Sequence, residues 1–98
     1  MSHRIYRVTR FQKVAPFTLE VEFDDGTAQV IDFRPVLAGE LFGPLADPDF
    51  FDSVRLDPES GTLVWPNEAD FDPATLHDWP EDGPALAALA RTWDSVRV

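Results

Sequence analysis

The stretch that decides the fold reads TLEVEFDDG and spans residues 18–26. Apolar residues occupy alternate positions in it: Leu19, Val21 and Phe23. Such alternation is typical of an antiparallel strand with one buried and one exposed face. Gly26 then supplies the positive φ that a tight turn requires, so residues 27–33 are predicted to return as the partner strand. The return strand contains both Val30 and Ile31, which leaves open which of the two faces the core.

The segments on either side of this hairpin predict further strands and short helices. Aromatic and β-branched residues are frequent in residues 4–14, which favours another strand. After Pro35, interrupted apolar spacing predicts short helical turns over residues 36–51, one of them capped by Asp47. A second hairpin is predicted over residues 53–65.

The last third of the chain predicts a further capped turn and a C-terminal helix. Asp72 precedes a proline, which is again the arrangement of a helix cap. Residues 79–83 are predicted to break the chain, and a helix is predicted over residues 84–94. Its apolar stripe consists of Leu86, Leu89, Ala90 and Trp93. Because a helix of about eleven residues is marginal in water, it must dock either on its own sheet or on another chain.

Together these elements predict an α+β fold: a small, mostly antiparallel sheet from two hairpins, with short helical insertions and a C-terminal helix. The length of 98 residues fits a single domain over residues 1–98. The absence of cysteine excludes disulfides and thiolate metal sites. The sequence has no apolar run of the ~20 residues that a bilayer span needs, so we expect a cytoplasmic protein without membrane contact.

Charge is distributed unevenly along the chain. The net charge is −10, yet the first thirteen residues carry +4 from a basic strip formed by Arg4, Arg7, Arg10 and Lys13. Residues 14–98 therefore carry −14, from four basic and eighteen acidic residues. Such an acidic body argues against direct binding of nucleic acid, which relies on neutralising several phosphates. The basic strip either pairs with the acidic body of its own fold or forms one face of a partner-binding edge.

Glu68, Asp70 and Asp72 form the acidic cluster with most potential for chemistry. In an extended conformation their carboxylates would project to one side and could bind a hard divalent cation, with His77 close behind. The structural interpretation is that Asp72 caps a helical turn and the other two lie in turns or in solvent. Because no nucleophile or phosphate-loop motif accompanies the cluster, we predict no enzymatic activity and no cofactor. A small divalent-metal-binding domain or hydrolase is the alternative function.

The segment WPNEADFDP, residues 65–73, carries a resemblance to a known family when it is taken with the FDDG and LADP turns. Over residues 5–79 the chain resembles the small bacterial family called domain of unknown function 2442. The matching positions, all with structural roles, are Asp25, Gly26, Trp65, Pro66, Asn67, Asp70, Asp72 and Pro73. Glu68 stands where family members often carry glycine, and His77 where they often carry tyrosine. Independently of the resemblance, Trp65 and Phe71 are predicted core residues.

The resemblance implies a compact α+β domain that acts as an accessory or regulatory module. Some relatives resemble the antitoxin-like member of a toxin–antitoxin gene pair. The helix over residues 84–94 lies beyond the family-like core of residues 5–79 and is an extension particular to this chain. No catalytic residue is carried over from the family.

The sequence therefore predicts a non-enzymatic protein-interaction or regulatory module, antitoxin-like in kind. The expected partner is a protein, basic in character, with assembly into a homo-oligomer as the other association to consider. The candidate contact residues are Arg4, Arg7, Arg10, Lys13, Leu86, Leu89 and Trp93.

Overall fold

The structure confirms the α+β fold. It is a computed structural model that describes the backbone of residues 6–95 and the side chains of residues 6–92. The described elements are β1 (Val8–Ala15), β2 (Thr18–Phe23), β3 (Ala28–Asp32), α1 (Gly39–Phe42), α2 (Pro48–Phe51), β4 (Arg55–Asp57), β5 (Thr62–Val64), α3 (Pro73–His77) and α4 (Trp79–Ser95). Two 3-10 turns, Arg34–Val36 and Gly43–Ala46, flank α1. The region between the hairpins is thus a series of short helical turns, as its interrupted apolar spacing predicts.

The first three strands form one antiparallel sheet in the order β1-β2-β3. Leu19 lies opposite Ile31, and Val21 opposite Phe11, so these side chains share the face that packs on the core. Ile31 is fully buried, whereas Val30 on the other face is 63% exposed. The predicted hairpin is confirmed, and the register settles which of the two neighbouring apolar residues faces inward.

Two turns of this sheet use left-handed backbone. Gly26 closes the β2–β3 turn with a φ of 86°, and a Cβ there would meet nothing within 4 Å, so backbone conformation alone favours glycine. Phe17, between β1 and β2, has a φ of 56° in spite of its bulk. Its ring packs edge-on against Phe51 at a centroid distance of 5.4 Å, and its carbonyl accepts the N–H of Phe33 at 2.8 Å. These tertiary contacts offset an unfavourable backbone conformation.

β4 and β5 form a separate two-stranded sheet. The two sheets meet where the N–H of Val8 donates to the carbonyl of Gly61 at 2.8 Å. Gly61 has a φ of 68°, and a Cβ there would lie 2.9 Å from the Cζ atom of Arg7. Both predicted hairpins are present, but they lie in two sheets because the turn of the second meets the edge of the first.

Aromatic side chains form the centre of the core. Phe33 is fully buried, and its ring centroid lies 5.3 to 6.0 Å from those of four other rings: Phe51, Trp65, Phe71 and Trp79. Trp65 is also fully buried, and its indole N–H donates to the carbonyl of Phe51 at 2.9 Å, which satisfies its polar atom. The prediction that Trp65 and Phe71 are core residues is confirmed.

The C-terminal helix begins earlier than the sequence predicts. Residues 79–83 continue the helix because the carbonyl of Asp78 accepts the N–H groups of Glu81 and Asp82, each at 2.8 Å. The predicted break in this segment is therefore wrong. Pro84 lies inside α4 and is not its first residue.

α4 docks on its own chain, against α3, α1 and the turn Arg34–Val36. Ala90 is buried on this face, and half-buried Leu86 packs against the core. Leu89 is 54% exposed, so it does not share the docked face as the predicted stripe requires. Across residues 6–95 no helix combines the length and apolarity that a bilayer crossing demands.

Candidate interaction surfaces

β1 is an edge strand of the three-stranded sheet. Apart from buried Val8 and half-buried Phe11, its side chains are exposed. No other strand among residues 6–95 pairs with its outer edge. The register with β2 shifts after Val8 and again before Ala15, which leaves a regular stretch from Arg10 to Lys13. Such irregularities shorten the straight edge that another strand can use.

Two cations of the basic strip form ion pairs within the chain. Arg10 Nε lies 3.1 Å from a carboxylate oxygen of Glu22 on β2. Lys13 Nζ lies 2.9 Å from a carboxylate oxygen of Asp52, which follows α2. All four side chains are at least 40% exposed, and exposed pairs of this kind contribute about 0–1 kcal/mol each. A partner could therefore replace either contact at little cost.

Arg7 has a structural contact at the junction of the two sheets. Its guanidinium donates to the carbonyl of Pro58 at 2.5 Å and lies against Gly61. Arg4, the remaining member of the basic strip, lies outside the described residues. Two of the four predicted contact cations, Arg10 and Lys13, thus lie on the open edge of β1.

Large apolar side chains are exposed at four separate places on the described surface: Val14, Val30, Leu41 and Leu89. Val14 lies on β1, and Leu89 lies on the outer side of α4. Leu41 belongs to α1, which contacts α4. The side chain of Trp93 lies outside the described residues. Both predicted contact regions, β1 and α4, therefore present an exposed apolar residue to solvent.

Two small apolar hollows accompany these regions. One, of about 280 Å³, lies beside α4 and is lined by Pro35, Trp79, Pro80, Gly83, Pro84 and Ala87. The other, of about 260 Å³, lies between β1 and α2 and is lined by Lys13, Pro16, Phe17, Pro48, Phe51 and Asp52. Both are below the range of about 300–1,000 Å³ that is typical of small-molecule sites.

The WPNE part of the sequence motif forms a turn that is fixed to α1. The carbonyl of Trp65 accepts the N–H of Glu68 at 2.9 Å, and the Asn67 side chain accepts the N–H of Ala69 at 3.1 Å. The same Asn67 side chain donates to the carbonyl of Leu41 at 2.9 Å. Glu68 completes the turn with a φ of 70°. The asparagine is thus a turn residue, and it also connects the turn to the helical layer.

One member of the acidic cluster, Glu68, departs from the extended conformation in which all three carboxylates would project to one side. Glu68 is left-handed, and Asp70 forms an isolated bridge with Val64. Asp72 caps α3, because its carboxylate accepts the N–H of Ala74 at 2.9 Å. Among the described residues no group of three His, Cys, Asp or Glu side chains could share a metal ion.

The structure assembles a cluster of ionisable groups that the sequence did not indicate, here called the histidine cluster (Asp25, His77 and Asp78). The Nε2 atom of His77 lies 2.8 Å from Asp25 Oδ2, and its Nδ1 atom lies 2.8 Å from Asp78 Oδ1. Tyr6 stacks on the imidazole with ring centroids 3.7 Å apart, and Phe23 contacts it edge-on at 5.1 Å. The side chains of His77 and Asp25 are only 16% and 17% exposed.

Electrostatics in this cluster favour the charged form of each partner in the contact between Asp25 and His77. Burial acts to lower the pKa of His77, but hydrogen bonds and charges from Asp78 and Asp25 outweigh it and raise the pKa above 6.5. The pKa of Asp25 is lowered to about 2, first by the hydrogen bond from the Thr27 hydroxyl and further by the Thr27 N–H and His77, against an opposing effect of burial. Asp25 and His77 are 52 positions apart, so no local spacing could have indicated their contact.

Comparison with known protein families shows which family the chain belongs to. The sequence profile described as "Protein of unknown function (DUF2442)" matches residues 8–81, well over half of the molecule. The protein belongs to the DUF2442 family. No curated protein and no solved structure matches it.

The DUF2442 region extends from β1 into the first turn of α4. It includes Arg10, Lys13 and the whole histidine cluster, whereas Leu86 and Leu89 lie beyond it. Glu68, which lies within this region, has left-handed backbone, a conformation that glycine adopts without strain.

Proposed function

We propose that this DUF2442 protein is a non-enzymatic interaction module, regulatory and antitoxin-like in kind, that binds a basic protein partner. Its contact surface would combine the open edge of β1 with the exposed side of α4. The observation that carries the proposal is that few carboxylates of the described residues form ion pairs with Arg or Lys, so the surface remains negatively charged.

The cations of the molecule do little to neutralise its outer surface. The chain has eighteen acidic and eight basic residues, and within the described part three carboxylates pair with Arg or Lys: Glu22, Asp32 and Asp52. The cations on β1 are already engaged in two of these pairs. The field around the molecule is therefore negative, which accelerates encounter with a basic partner and disfavours acidic ones.

The two proposed contact regions supply short-range contacts, which a negative electrostatic field alone does not provide. β1 offers unpaired main-chain groups for strand addition, and Val14 on it is 48% exposed. α4 offers Leu89, which is 54% exposed. Electrostatic attraction brings the partner close, and these apolar and main-chain groups fix its position.

Binding measurements with three surface variants test the proposal. The tagged full chain recovers its partner from lysate of the native host, and the partner is identified by mass spectrometry and purified. Titration of the two purified proteins then gives Kd for the wild type and for Val14→Lys, Leu89→Lys and Val30→Lys. We expect the first two variants to weaken binding by about tenfold or more, because each places a charge in the contact surface. Kd for the wild type should also rise with salt.

Val30→Lys is the matched control. It makes the same change at a residue that is 63% exposed but lies on β3, the strand at the opposite edge of the sheet from β1. All three variants reduce the net negative charge by the same amount. Any difference in Kd among them therefore reports where the contact surface lies. Equal affinity for all four proteins, or a recovered partner that is acidic, would overturn the proposal.

A further inference from the structure

We propose that the histidine cluster is a proton-dependent latch: protonated His77 binds Asp25 in the β2–β3 turn and Asp78 at the α3–α4 junction at the same time, and loss of its proton opens one of the two contacts. This inference does not depend on the proposed function. It follows from the geometry of the cluster.

Both ring nitrogens of His77 face carboxylate oxygens at hydrogen-bond distance. Nε2 lies 2.8 Å from Asp25, and Nδ1 lies 2.8 Å from Asp78. An ionised carboxylate only accepts hydrogen bonds, so each contact needs an N–H on the ring. Only the imidazolium carries both. In the neutral ring one nitrogen lone pair would face a carboxylate oxygen, and that contact must open.

The latch joins three parts of the chain that are distant in sequence. Asp25 lies in the β2–β3 turn, where its other carboxylate oxygen accepts the Thr27 hydroxyl at 2.6 Å. Asp78 lies between α3 and α4. Tyr6, which precedes β1, covers one face of the ring with an interplanar angle of 11°.

The groups around His77 leave it few alternatives once it loses the proton. Among the residues that the structure describes, the charges that act on it are those of Asp25 and Asp78, both negative. The rings of Tyr6 and Phe23 also contact it, and the Gln29 side chain donates to the His77 backbone carbonyl at 2.8 Å. Since the side chain is only 16% exposed, water cannot readily replace a lost carboxylate contact.

The direction of the pH effect follows from the pKa shifts. The pKa of His77 is raised in the folded protein, so its stabilising contribution is complete below its ordinary value of 6.5 and is lost as pH rises through the raised value. The pKa of Asp25 is lowered to about 2, so its contribution is present above its ordinary value of 3.8 and is lost as pH falls toward 2. The latch is therefore closed in mildly acidic solution and opens on the alkaline side.

Nuclear magnetic resonance of the ¹⁵N-labelled full chain tests the latch directly. The chain contains two histidines, His3 and His77, so the imidazole signals are few enough to assign. We expect His77 to keep both ring protons to a higher pH than His3. Both ring N–H groups of His77 should be present near about pH 5.5, and one of them should be lost near about pH 9. Deprotonation of His77 at or below the pH of His3 would overturn the latch.

Thermal unfolding supplies the second measurement. Tm of the wild type should fall by several degrees between about pH 6 and about pH 9, and His77→Gln should remove most of that fall. His3→Gln is the matched control and should keep it. Asp25→Asn preserves the shape of the site and should lower the pH at which His77 titrates, so it decides the question even if His77→Gln does not fold. An unchanged His77 titration in Asp25→Asn would contradict the proposal.

Discussion

At the scale of single residues, left-handed backbone is the feature with the clearest energetic consequence. Gly26 and Glu68 both have strongly positive φ, 86° and 70°, but only the first is glycine. A non-glycine residue in this region costs about 1–2 kcal/mol through the approach of its Cβ to the following carbonyl. The turn at Glu68 persists because Asn67 and the Trp65 carbonyl bind the surrounding backbone groups.

We predict that Glu68→Gly stabilises the protein by about 1 kcal/mol, because relief of the left-handed strain exceeds the added entropy of the unfolded chain. Urea unfolding should show a higher midpoint with an unchanged m-value. The substitution also removes a negative charge, so Glu68→Gln serves as the control for charge and should recover little of the gain. If Glu68→Gln raised the free energy of unfolding as much as Glu68→Gly, the removed charge and not the backbone strain would be the cause.

Gly26→Ala tests the same physical cause in the opposite direction. Its Cβ would meet nothing within 4 Å, so only the backbone conformation is affected. We expect a loss of about 1 kcal/mol in the free energy of unfolding, measured in the same way. Stability equal to the wild type would show that the positive φ is not the cause at either position.

At the scale of elements, local chemistry made some features predictable and long-range packing decided the others. The caps at Asp47 and Asp72 were predictable because an aspartate before a proline is a local signal, and both carboxylates do accept the expected N–H. The start of α4 was not predictable from local sequence, because a glycine between two prolines, here Gly83 between Pro80 and Pro84, ordinarily marks a loop. Here Gly83 is buried beside the ring of Trp79, a contact that the sequence spacing does not show.

Gly83→Ala should destabilise the protein by about 1–2 kcal/mol, although alanine is the better helix former by about 1 kcal/mol. The new Cβ would lie 2.7 Å from the Nε1 atom of Trp79, a rigid ring that packs on Phe33 and Phe71, so that ring must move. The free energy of unfolding in urea is the measurement. Ala88→Gly, at an exposed site of the same helix, calibrates the helix propensity alone and should cost about 1 kcal/mol. If Gly83→Ala were more stable than the wild type, propensity would outweigh the packing.

At the scale of the whole molecule, the α+β class could be predicted from the order of alternating and interrupted segments. The division of the strands into two sheets could not be predicted, because it depends on where the turn at Gly61 contacts β1. The histidine cluster was likewise out of reach, since its members are joined by folding and not by spacing. Net charge, in contrast, is read directly from composition, and it governs the behaviour of the entire surface.

Because the chain carries a net charge of −10, screening by salt should stabilise the folded state. We predict that Tm rises as NaCl is increased from about 0.05 M to about 0.5 M, since relief of the repulsion among carboxylates exceeds the weakening of the exposed ion pairs. Glu59→Lys lowers the net negative charge by two at an exposed turn and should show a smaller rise. A fall in Tm with added salt would mean that the ion pairs dominate.

The shape of β1 limits how long a complex on its edge can last. Only the stretch from Arg10 to Lys13 is in regular register, so an added strand forms few main-chain hydrogen bonds before an irregularity displaces it. Differences in affinity among related complexes arise mostly in the dissociation rate. If the proposed function holds, contacts made through this edge would exchange rapidly, so a single complex would be short-lived.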